Sequence, residues 1–127
     1  MPNEINLSVT MTVDKGSLNY RFSPTPAVIN LTGDAAAGGV QLIGTAAEAC
    51  VLVDVTTRGM ANFINLTTGT KVQLGTLDGT TFHPFGQLNA GEPAVLRLSA
   101  STGTSPVLKV IEPTNGTAFV QWQVFSE

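Results

Sequence analysis

A chain of 127 residues, 43% hydrophobic and 12% charged, is long enough to bury one core and too poor in charge to stay disordered. The net charge of −3, with Lys15, Arg21, Arg58, Lys71, Arg97 and Lys109 scattered singly, argues against a nucleic-acid partner, because phosphate binding needs clustered cations. No apolar run reaches the 18 or more residues of a helical membrane span, and Met1-Pro2-Asn3-Glu4 lacks the basic start of a secretory leader, so cytoplasmic synthesis without a membrane partner is expected.

In chain order, Ile5, Leu7, Val9, Met11 and Val13 alternate with polar residues, a period of two that predicts a strand with one buried face. Asp14-Lys15-Gly16 supplies a turn, and Leu18, Tyr20 and Phe22 resume the alternation, so Ile5 to Phe22 reads as a β-hairpin. Ser23-Pro24-Thr25-Pro26 breaks that strand, and Ala27 to Leu31 predicts a short third one. Residues 33–39, rich in glycine and alanine, read as a loop.

Further strands are expected at Val40–Ile43, Cys50–Val55, Asn62–Leu66, Lys71–Leu77, Ala94–Leu98, Val107–Ile111 and Ala118–Phe125. Turn residues separate them at Thr68-Gly69, Asp78-Gly79, Asn89-Ala90-Gly91, Ser101-Thr102-Gly103 and Asn115-Gly116. Many short strands without an amphipathic helix point to an all-β fold, a single domain over residues 1–127 built as a β-sandwich or jelly roll of eight to ten antiparallel strands. In the last strand Val120, Trp122 and Val124 share one face and Phe119, Gln121, Gln123 and Phe125 the other. Trp122 is therefore expected in the core, and Phe119 or Phe125 at a contact surface.

Catalytic chemistry has little to draw on, and no catalytic, cofactor or metal site is expected. One histidine, His83, cannot make a two-histidine zinc site, and the remaining nucleophile pair, Cys50 with His83, joins an apolar strand to the hydrophobic turn Thr81-Phe82-His83-Pro84-Phe85. Cys50 reads as a buried, inert thiol. The carboxylates Asp34, Glu48, Asp54, Asp78 and Glu92 lie on different loops without calcium-loop spacing, and Glu92 is expected to hydrogen-bond within its own turn.

From Gly39 onward the motifs run in the order Gln41-Leu42-Ile43-Gly44-Thr45-Ala46-Ala47-Glu48, Gly59-Met60-Ala61-Asn62-Phe63-Ile64-Asn65-Leu66, Val72-Gln73-Leu74-Gly75, Thr81-Phe82-His83-Pro84-Phe85 and Leu88-Asn89-Ala90-Gly91-Glu92-Pro93-Ala94-Val95-Leu96-Arg97-Leu98. That order resembles a family of small virion structural proteins of tailed bacteriophages. Ser99 to Pro106 departs from it with a longer loop. The resemblance implies a place in a virion. The expected role is a capsid decoration or cement protein that stabilises the head shell, with the major capsid protein or another virion protein as partner and self-association, as a trimer, alongside. A tail, neck or fibre component, or an isolated carbohydrate-binding module, are the alternatives. Candidate assembly contacts are Pro2, Asn3 and Ile5, in an N-terminal strand or hairpin over residues 1–22 that could act as an arm, with Phe82, Phe85, Phe119 and Phe125.

Overall fold

A computed structural model of the chain describes residues 4–31, 33–52, 55–98, 105–111 and 116–126. These form strands without a helix, and the chain divides into two compact units, Met1–Thr32 and Gly33–Glu127.

The N-terminal unit holds β1 (Ile5–Leu7), β2 (Met11–Lys15), β3 (Leu18–Phe22) and β4 (Ala27–Ile29). β1 pairs antiparallel with β4, Ile5 opposite Ile29, while β2 and β3 form a hairpin with Lys15 opposite Leu18. Two residues, Gly16 and Ser17, close it; Gly16 has φ 58°, the positive value that matches a two-residue turn to the twist of its strands. The expected single hairpin from Ile5 to Phe22 is thus corrected: the first strand stops at Leu7, and its two parts take different partners. The expected buried face is corrected too. Met11, Val13, Leu18, Tyr20 and Phe22 do share one side of the hairpin, but all except half-buried Val13 are exposed.

The second unit contains β5 (Ala36–Ile43), β6 (Glu48–Ala49), β7 (Arg58–Asn65), β8 (Val72–Asp78), β9 (Thr81–Leu88), β10 (Pro93–Arg97), β11 (Val107–Val110) and β12 (Ala118–Ser126). Antiparallel partners are nested: β5 with β12, β6 with β11, β7 with β10 and β8 with β9. Lateral pairing of β7 with β12 and of β8 with β11 rolls this nest into two four-stranded sheets, ordered β10-β7-β12-β5 and β6-β11-β8-β9. That is a jelly roll.

One core is shared by the two sheets. Ile43, Phe63, Val120 and Val124 come from the first, and Val72, Leu74, Leu108 and Val110 from the second. Trp122 is buried among them, as the alternation of β12 predicts.

Three expected elements are corrected here. Gly38 and Gly39 lie inside β5, not in a loop, since only glycine readily takes the φ of 141° at Gly39, and a Cβ on Gly38 would meet the Trp122 carbonyl and lie 2.9 Å from the Gln123 Cα. Thr81–Phe85 is strand, not turn. β9 is an edge strand, where proline is tolerated, and Gly75 opposite Pro84, beside the register shift at Leu74/Gly75, leaves space for the close His83–Pro84 backbone. Cys50 follows the two-residue β6 instead of opening a strand of its own; its amide bonds the Pro106 carbonyl at 2.9 Å. The expected turn Ser101-Thr102-Gly103 lies outside the described residues.

Candidate assembly surfaces

Paired residues of antiparallel strands stand on one face, so the registers define what the first sheet shows outward. Leu42 faces Phe119, and Val40 faces Gln121, which on its other side faces Ile64; Ile64 in turn faces Pro93. Beyond the end of β7 the Leu66 amide bonds the Phe119 carbonyl at 2.9 Å, extending the first row. Leu42, Phe119 and Leu66 are 51%, 51% and 47% exposed, so three large apolar side chains line up in the open. Neither row contains a charged residue. On this face charge returns at Arg97, in register with Met60. Exposed apolar side chains gathered in one row make this face the candidate contact surface of the unit.

The turns beside this strip are fixed by polar side chains. Asn65 is fully buried, and its Nδ2 donates to the carbonyls of Thr70 at 2.7 Å and Leu88 at 3.1 Å, while its Oδ1 accepts from the Thr67 amide at 3.0 Å. The Thr67 hydroxyl in turn accepts from the Phe119 amide at 2.7 Å. Glu92 accepts the Asn89 amide at 2.8 Å, the turn bond expected of it.

The expected contact residues separate. Phe119 stands exposed in the apolar strip; Phe125, half-buried on the same face, is in register with Ala36. Phe85 is exposed at the bulge of β9, beside a groove lined by Leu77, Leu96 and Leu98, and Phe82 is half-buried with the Lys109 Nζ 5.8 Å from its ring centroid. Ile5 is half-buried in β1, and Pro2 and Asn3 lie outside the described residues. Glu4 is anchored, since its carboxylate accepts the Leu31 amide at 3.2 Å. Val40, Leu42 and Leu66 escape a reading of the sequence, because alternation alone does not say which of two apolar faces is covered.

Known families, curated proteins and solved structures give no match to this chain.

The groups considered for chemistry do not gather. Cys50 is buried, and desolvation pushes its thiol up to about 12, whereas His83 is exposed on β9 opposite Thr76. Among the described residues no three of His, Cys, Asp and Glu converge as metal ligands would.

Proposed function

We propose that the protein is a non-enzymatic structural component of a tailed-bacteriophage virion, a decoration or cement protein that binds the head shell and stabilises it. The observation that carries this reading is the uncharged strip Leu42–Phe119–Leu66, backed by Val40 and Ile64, on the outward face of a jelly-roll sheet. A flat apolar face without charge suits lasting attachment to another folded surface, since the buried centre of such interfaces is depleted of charge. The motif order from Gly39 onward gives the virion setting. Many modest contacts, repeated around a shell, accumulate through avidity.

Quantifying this chain against the major capsid protein in purified particles tests the reading. Copy numbers comparable with the shell subunit are expected. A few copies per particle, located at the tail or portal vertex, would overturn decoration in favour of a tail or neck component.

A further inference from the structure

Among its described residues the N-terminal unit has no interior. Every described residue from Glu4 to Leu31 is exposed or half-buried. A unit of 32 residues is below the roughly 40 at which chains usually need a disulfide, a metal or oligomerisation to hold together. Residues 1–32 contain no cysteine or histidine, which removes the disulfide and the ordinary zinc site.

What the unit has instead is a two-sided hairpin. Met11, Leu18, Tyr20 and Phe22 are 51%, 57%, 50% and 43% exposed on one face, around half-buried Val13, while Thr12, Asp14, Asn19 and Arg21 occupy the other. Counting a large side chain as about 200 Å², these exposures leave about 400 Å² of apolar surface open. Two such faces together, in an interface about 65% apolar, give about 1,200 Å² in total, the lower edge of stable protein–protein contacts.

Charge points to the occupant. Glu4 and Asp14 balance Lys15 and Arg21, so this unit is neutral, and the net −3 of the chain falls on the second unit. A partner recognised by charge would need a charged face to read, and this one offers only Lys15 at the hairpin tip. Apart from Lys15 at its tip, nothing electrostatic opposes its meeting an identical face.

We infer that the β2–β3 hairpin packs its Met11–Leu18–Tyr20–Phe22 face against the same unit of a second copy, making residues 1–32 the self-association module of the protein. The inference goes beyond the virion assignment and stands or falls separately from it, because its test uses the purified chain alone.

Light scattering or sedimentation of the full chain is expected to give the mass of a pair of 13.2 kDa chains, and the double variant Leu18→Lys, Tyr20→Lys a single chain, with Trp122 fluorescence unchanged to show that the second unit stays folded. A second measurement guards against loss of the hairpin itself. Tyr20→Cys, treated with a short bis-maleimide, is expected to give covalently linked pairs, and Asn19→Cys, on the opposite face, is not; buried Cys50 leaves the introduced thiol as the reactive one. A monomeric wild-type chain, an unchanged mass in the double variant, or equal linking through both positions would each overturn the inference.

Discussion

The indole Nε1 of Trp122 donates to Oε1 of Gln41 at 3.0 Å, a side-chain bond between the last and the first strand of the jelly roll. Gln41 pairs with Val120 and therefore points inward beside the tryptophan, so a polar amide is held at the margin of the core by one aromatic donor. Trp122→Phe removes the donor and part of the ring. A loss of about 1–2 kcal/mol in urea unfolding is expected, from one orphaned acceptor and a small cavity. The second substitution Gln41→Leu should restore part of it.

Asn65 ties together the ends of β7 and β9 and the turn into β8 with three hydrogen bonds from one buried amide. Asn65→Ala leaves two carbonyls and one amide without that partner and should cost about 2–4 kcal/mol. Asn65→Asp is expected to be at least as damaging, because it sets an oxygen against the Thr70 and Leu88 carbonyls. Thermal unfolding of both variants reads this directly.

Gly75 stands where β9 bulges. A Cβ there would strike the His83 carbonyl and lie 2.8 Å from the Pro84 Cα, both of them backbone atoms that no rotamer change can move. Gly75→Ala should cost about 1–3 kcal/mol, whereas the same change at open Gly86 should stay within about 0.5 kcal/mol. Equal midpoints for the two variants would argue against the bulge as drawn.

Cys50 gives a pH signature. Desolvation raises its thiol from 9.0 to about 12, so between these values the unfolded chain ionises while the folded chain keeps its proton. Its contribution to stability is full below about pH 9 and is lost as pH rises toward 12. Cys50→Ala should therefore show a smaller alkaline fall in stability than the wild type, even if it starts lower. In the native protein the thiol should resist Ellman's reagent near neutral pH and react on unfolding.

The apolar strip separates stability from attachment. Leu42→Lys with Phe119→Glu changes two exposed, directly opposite positions without setting like charges together and should leave the unfolding free energy within about 0.5 kcal/mol per site. Shell binding, measured by co-sedimentation with undecorated heads, should be lost. Retained binding would move the attachment site elsewhere on the molecule.

Much of the fold is legible in the residues. β12 announces itself because Val120, Trp122 and Val124 alternate strictly with Gln121 and Gln123, and the turns at Gly16 and Gly79 do so because the backbone there needs positive φ. β9 is hidden by Pro84, which breaks a central strand but is harmless at an edge, and edge position is a property of topology that no local window contains. The start of β5 is hidden by Gly38 and Gly39, the first present for close approach to β12 and the second for its φ of 141°. The strip is legible only through Phe119. Val40-Gln41-Leu42-Ile43 carries apolar residues on both faces, and only the pairing with β12 shows that Val40 and Leu42 are the uncovered pair.

Nested pairing also sets the order in which the molecule can be finished. β5 leaves the ribosome first among the eight strands of the roll, yet its hydrogen-bonding neighbour is β12, the last. Folding of the roll thus waits until β12 has been made, and until then β5 is an unpaired edge bearing Val40 and Leu42, exposed to neighbouring nascent chains. The interval between the making of the first and the last strand is therefore the roll's period of greatest risk from aggregation.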